Sequence, residues 1–111
     1  MTTDWKIEKL ECKVSENGLS NVVYKIQWVY KVTDTINGKK YYSARRGNSS
    51  LSNPDPLSFT SYDNLTKQQV VDWIINTLGE EYITSMTTDL DNTNYYKANP
   101  VTVILNPPFN S

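Results

Sequence analysis

The stretch Leu65-Thr66-Lys67-Gln68-Gln69-Val70-Val71-Asp72-Trp73-Ile74-Ile75-Asn76-Thr77-Leu78-Gly79 reads as a helix with both ends written into it. Thr66 can accept a hydrogen bond from a first-turn amide, and Gln69, three residues on, completes a capping box. Leu65 and Val70 flank the cap as a hydrophobic staple. Gly79 supplies the stop at the far end. Val70, Ile74 and Leu78 fall on one stripe with Val71 and Ile75 beside it, so the helix needs an apolar surface to lie on.

That surface stands upstream. The even positions of residues 22–33 are all apolar or aromatic: Val22, Tyr24, Ile26, Trp28, Tyr30 and Val32. The odd positions Val23, Lys25, Gln27, Val29, Lys31 and Thr33 are mixed. Such period-two alternation predicts a strand with one buried and one wet face. Asn37-Gly38 follows, a type I′ hairpin signal because both central residues need φ > 0. The return strand runs from Lys39 to about Arg46, with Gly47 and Asn48-Ser49-Ser50 ending it. Before the long strand, residues 5–14 form another whose phase slips. Trp5 and Ile7 are apolar at odd positions, and Leu10, Cys12 and Val14 at even ones. A bulge near Glu8-Lys9 brings both sets to one face, and Asn17-Gly18 marks the turn between the two strands.

Residues 47–64 make a long connection with Pro54 and Pro56, in which Leu51, Leu57, Phe59 and Tyr62 predict a lid over one core edge. A weaker helix extends from about Glu80 to Leu90, carrying Tyr82, Ile83, Met86 and Leu90. Its acidic start, Glu80-Glu81, suits the positive end of a helix dipole. Pro100 resets the chain, Val101 to Leu105 reads as a last strand, and Asn106-Pro107-Pro108-Phe109 cannot continue a ladder. The expected fold is therefore α+β, one domain over residues 1–111. It has a three- or four-stranded, mainly antiparallel sheet with two helices packed on one face, in the order β-β-β-α-α-β.

Net charge is −1, which gives no global attraction to nucleic acid or to an anionic membrane. The distribution is uneven. Residues 25–46 carry Lys25, Lys31, Lys39, Lys40, Arg45 and Arg46 against Asp34, whereas residues 47–111 carry Lys67 and Lys97 against seven acids. A basic hairpin thus precedes an acidic helical half. The single Cys excludes an internal disulfide. No apolar run approaches the ~20 residues of a membrane span, and Met1-Thr2-Thr3-Asp4-Trp5 lacks the basic and apolar regions of a secretion signal. A soluble protein that stays inside the cell producing it, with no membrane partner, is the expectation.

Catalytic chemistry has little to work with. Without His there is no Ser-His-Asp triad, no Cys–His pair and no imidazole ligand. Cys12, in phase with Leu10 and Val14, reads as a small buried hydrophobe rather than a nucleophile. The segment Asp89-Leu90-Asp91-Asn92-Thr93-Asn94 has the acidic density of a calcium loop. It lacks the Gly at the sixth position and the Glu at the twelfth, which here is Pro100. A helix end fraying into a polar turn is the favoured reading. Glu80 and Glu81 diverge by about 100° on a helix and form no acid–base pair. The sequons at Asn48 and Asn64 carry little weight without a secretion signal, and four Gly residues build no phosphate loop. No catalytic residue, cofactor or metal ligand is expected.

Lys39, Lys40, Arg45 and Arg46 flank Tyr41 and Tyr42. Cations interleaved with aromatics on a sheet can hold a single-stranded nucleic acid by phosphate contact and stacking. They can equally be edge charges that keep a hairpin from aggregating. The second reading is favoured because the remaining surface is acidic. The Tyr24, Trp28, Tyr30 stripe could also stack bases, but two helices need a face to cover, and burial is favoured.

Several further features run together: Asn21-Val22-Val23, Trp28, Pro54-Asp55-Pro56, Phe59, Tyr62-Asp63-Asn64-Leu65-Thr66, Gln69-Val70-Val71-Asp72-Trp73, Leu78-Gly79 with Glu81, and Pro107-Pro108. With them the chain resembles a family of short uncharacterised proteins encoded by tailed bacteriophages, notably those infecting cyanobacteria, over most of residues 5–109. The resemblance implies a phage origin and a non-enzymatic role, and it carries over no catalytic residues. A small phage-encoded protein-interaction or structural module is expected, made in the host cytoplasm and associated with the virion. Its contacts would use the basic hairpin, an exposed sheet edge and the Pro-rich tail, toward a protein partner or a second copy. The alternative is a single-stranded nucleic-acid-binding module working through Lys39, Lys40, Tyr41, Tyr42, Arg45 and Arg46.

Overall fold

Three strands come first and pair in chain order: β1 (Thr2–Glu16), β2 (Leu19–Ile36) and β3 (Lys39–Ser50), forming an open antiparallel sheet β1-β2-β3. A single 3-10 turn at Tyr62–Asn64 leads into α1 (Lys67–Leu78) and α2 (Glu80–Ala98). The computed structural model describes residues 1–16, 18–51 and 62–109. Leu57 and Phe59 of the expected lid lie outside them. Leu51 is half-buried against the core and Tyr62 is exposed.

The hairpin signals act locally, as backbone conformation demands. Asn37 and Gly38 sit at φ 53° and 78°, the paired positive values of a type I′ turn, and Ile36 pairs with Lys39 across it. At the other hairpin Glu16 pairs with Leu19, with Gly18 at φ 79°. The phase slip in β1 is a bulge at Glu8, between the pairs Ile7↔Trp28 and Lys9↔Gln27. It turns Trp5, Ile7, Leu10 and Cys12 to one face, and all four pack on the core. A second irregularity leaves Tyr24 as the extra residue of β2, between Glu11↔Lys25 and Cys12↔Val23. It exposes Tyr24 and turns Val23 inward beside Ile26.

β3 is longer than the sequence suggests. Gly47 does not end it: the strand runs on to Ser50, pairing Gly47 with Trp28 and Ser49 with Ile26. The glycine serves the indole instead, a tertiary reason invisible in a run of turn-forming residues.

Both helices lie on the face made by Val23, Ile26, Trp28, Tyr30 and Val32, contributing Val70, Ile74, Met86 and Leu90 to one cluster. α1 has the expected ends. Thr66 Oγ1 accepts from the Gln69 amide at 3.2 Å, and the Gly79 amide donates to Ile75 O at 2.9 Å. Removing the cap by Thr66→Ala is expected to cost about 1 kcal/mol. Urea unfolding measures it, and Thr66→Ser should recover most of the loss. A midpoint unmoved in Thr66→Ala would show that tertiary packing alone holds the first turn.

Only Gly79, at φ 85°, separates the helices. α2 continues well past Leu90 to Ala98, so Asp89–Asn94 is helix rather than a polar turn. Met86, Leu90 and Asn94 are successive buried residues of one stripe, and Asn94 takes the place a hydrophobe would fill. Tyr30 and Thr87 are bound through their hydroxyls at 2.8 Å, and Thr87 Oγ1 donates to Ile83 O. Tyr30 is thereby the donor to Thr87, and it ties α2 to the central strand.

The sixth element is not a strand. Residues 101–105 join no ladder, and Val101, Val103, Ile104 and Leu105 stand in solvent. Their β propensity is real, but the described part of the chain supplies no pairing partner for them.

Candidate functional site

Residues opposite each other in an antiparallel ladder share a face, and neighbours along a strand alternate. This parity divides the basic hairpin. Lys39, Tyr41 and Arg45 fall on the side of the helices; Lys40, Tyr42 and Arg46 fall on the opposite, helix-free side. Arg45 reaches Asp89 of α2 at 3.6 Å, and Arg46 reaches Glu8 at the bulge of β1 at 3.5 Å. Lys39 lies 5.6 Å from the centre of the half-buried Tyr41 ring. The six candidate residues therefore do not converge on one ligand.

The helix-free face collects a different set. Lys6 and Lys9 of β1, Lys25 and Lys31 of β2, and Lys40 and Arg46 of β3 project from it by register, against Asp4, Glu8 and Glu11. Lys25 and Glu11 meet across strands at 3.8 Å. Tyr42, largely exposed, has Lys31 Nζ at 4.6 Å and Lys97 Nζ at 5.6 Å from its ring centre. The face is thus a mildly basic sheet surface on which Tyr42 is flanked by cations. Lys6, Lys9, Lys25 and Lys31 were not among the sequence candidates; for Lys25 and Lys31 the phase opposite the aromatics of β2 was the available signal.

Two further surfaces come from length. An 18-residue strand spans about 60 Å, whereas the 19-residue α2 spans about 28 Å. The helices cannot cover the whole sheet. β3 ends opposite Lys25, so beyond that point only β1 and β2 pair among the described residues; Val14 there is exposed, whereas Val22 and Val23 are buried. The chain is correspondingly elongated, 71 × 34 × 23 Å. At the other end of the chain the extension after α2 exposes Val101, Val103, Ile104, Leu105 and Phe109, at 81, 74, 99, 76 and 68 %.

Along the outer edge of β1 a groove of about 480 Å³ opens against the start of α1, with Trp5, Lys6, Ile7, Leu10, Leu65 and Val70 in its walls. Asp4 and Lys67 lie 3.6 Å apart beside it. Cys12 is half-buried, and burial pushes its thiol above the ordinary value, away from the reactive thiolate. Among the described residues no three of His, Cys, Asp or Glu gather as metal ligands would. Nor is any helix among them long and apolar enough to cross a membrane. What the surface offers is area for binding: an open edge, a charged face and an apolar extension.

Residues 1–109 match the family described as "Domain of unknown function (DUF7936)". The chain belongs to this family. The match takes in the sheet, both helices and the extension as far as Phe109. Neither a curated protein nor a solved structure matches the chain.

Proposed function

We propose that this member of the DUF7936 family is a non-catalytic protein-interaction or structural module of a bacteriophage, and a component of the virion. The observation that carries the reading is the extension after Ala98. Five large apolar side chains stand in water there, on a segment with no charged residue from Asn99 to Ser111. Each would gain roughly 1.5–3 kcal/mol by burial against a partner. An uncharged, β-prone, Pro-terminated segment is suited to docking on another protein and contributes nothing to its own core. The resemblance over Pro54-Asp55-Pro56 and Tyr62-Asp63-Asn64-Leu65-Thr66 supports the phage setting.

Quantitative mass spectrometry of purified virions tests this. The full chain should be present in fixed stoichiometry, and a chain ending at Ala98 should be made and folded but missing from particles. Equal incorporation of the shortened chain would remove the extension from the contact. Finding the full chain only free in infected cells would remove the virion assignment.

The helix-free face supports a second reading, a single-stranded nucleic-acid-binding module. Lys31, Lys40, Tyr42 and Arg46 share that face, so a strand could meet phosphate-binding cations and a stacking ring together. Lys39, Tyr41 and Arg45 would not contribute. Binding of a labelled oligonucleotide would be weak and fall steeply with added salt. A flat titration at low salt would close this option.

A further inference from the structure

β1 is an edge strand. Among the described residues no strand pairs with its outer side. Open sheet edges invite another strand. The side of β1 that faces the helices is apolar, with Trp5, Ile7 and Leu10 only half-buried and opening into the groove against Leu65 and Val70. The other edge of the sheet differs. On the helix side β3 presents Tyr41, Ser43, Arg45 and Ser49, and α2 already lies against it, with Lys97 Nζ donating to Tyr42 O.

The extension is the counterpart to the β1 edge. In extended conformation Val101, Val103 and Leu105 point to one side, at the two-residue spacing that Trp5 and Ile7 show on β1. Being uncharged, it brings no ion of its own into the groove, whose apolar walls stand beside Asp4, Lys6 and Lys67. It also starts at the wrong place to fill its own groove directly. Asn94 fastens the last turns of α2 to Ser43 and Val32, which puts the start of the extension by β3 and β2 with β1 on the far side.

We infer that residues 101–105 add as a fourth strand to the outer edge of β1 in a second copy of the chain, with Val101, Val103 and Leu105 in the groove lined by Trp5, Ile7, Leu10, Leu65 and Val70. This deepens the proposed function and rests on its assignment of the extension as the contact element. A chain that carries both the donor strand and the acceptor edge forms either reciprocal dimers or head-to-tail arrays.

Sedimentation equilibrium of the full chain, from micromolar to hundreds of micromolar, should show reversible self-association. A chain ending at Ala98 should be monomeric with a nearly unchanged circular dichroism spectrum, because it loses only the Asn99 cap on Tyr95 O and a stretch, residues 100–109, that stands in solvent. Val103→Lys in the full chain should weaken association by about tenfold or more, since a cation enters the groove. A labelled peptide of residues 99–109 should bind the shortened chain and compete with self-association of the full one. A full chain that stays monomeric while the shortened chain binds the peptide would mean docking within one copy, and would overturn the proposal. Self-association that survives both the truncation and Val103→Lys would overturn it too. Either result leaves the virion experiment standing, so this failure is distinguishable from that of the wider reading.

Discussion

Trp28→Ala is expected to lower the unfolding free energy by about 3–5 kcal/mol, a large share of the ~5–15 kcal/mol available to a small domain. Trp28 is 2 % exposed on the central strand and takes part in three separate contacts. Its ring covers Gly47 of β3 so closely that a Cβ there would lie 2.7 Å from Cη2. Its Nε1 donates to Ser49 Oγ at 3.0 Å, and Ser49 is itself buried. The Trp5 ring meets it edge-on at 5.3 Å. Truncation opens a cavity, strands the Ser49 hydroxyl and releases Trp5 from β1. Trp28→Phe keeps most of the volume but not the N–H, and should cost less, about 1–3 kcal/mol.

Gly47→Ala approaches the same contact from the other side, forcing the indole to move at about 1–3 kcal/mol. The two changes are coupled: alanine at 47 should cost much less once Trp28 has become alanine, because its Cβ then enters empty space. Urea unfolding of the four combinations measures the coupling. Additive losses would mean that the ring and the glycine do not oppose each other as the structure places them.

The Trp28–Gly47 contact also shows where the sequence is legible and where it is not. Features set by a few adjacent residues are readable. The Asn37-Gly38 turn needs φ > 0 at two positions, the Glu8 bulge follows from a phase slip, and Thr66 to Gly79 carries its own caps. The order of three strands and two helices follows from these. Gly47 resists such reading because a glycine within Arg46-Gly47-Asn48-Ser49-Ser50 signals a turn, and only an indole from another strand explains it. Val101–Leu105 has the composition of a strand, but pairing is a property of two segments, and within one copy no described strand pairs with it. At the hairpin, strand parity alone separates Lys40, Tyr42 and Arg46 from Lys39, Tyr41 and Arg45. That division was readable as soon as the strand was assigned. The basic character of the whole helix-free face was harder, since it needs the register of β1 against β2 across a bulge.

Asn94 is the buried polar side chain of α2 among the described residues, and Asn94→Ala is expected to cost about 2–4 kcal/mol. Asn94 is fully buried. Its Nδ2 donates to Val32 O at 3.0 Å and its Oδ1 accepts from Ser43 Oγ at 2.7 Å, so one amide fastens α2 to two strands. Helix propensity does not favour Asp89-Leu90-Asp91-Asn92-Thr93-Asn94; tertiary docking at Asn94 overrides it. Alanine leaves the buried Ser43 hydroxyl without a partner. Asn94→Leu with Ser43→Ala removes both polar partners and continues the Met86–Leu90 stripe, so the pair should recover most of what Asn94→Leu alone loses. Asn94→Asp separates packing from hydrogen bonding, because an ionised carboxylate sets a second oxygen against Val32 O. Burial would raise that carboxyl above its unfolded value near ~3.9. The neutral acid is then the form the fold accepts, so the variant should come closest to wild type below about pH 4 and fall further behind as pH rises. Denaturation of both chains at matched pH values reads the difference directly. A deficit independent of pH would show that the amide of Asn94 is not held between Val32 and Ser43.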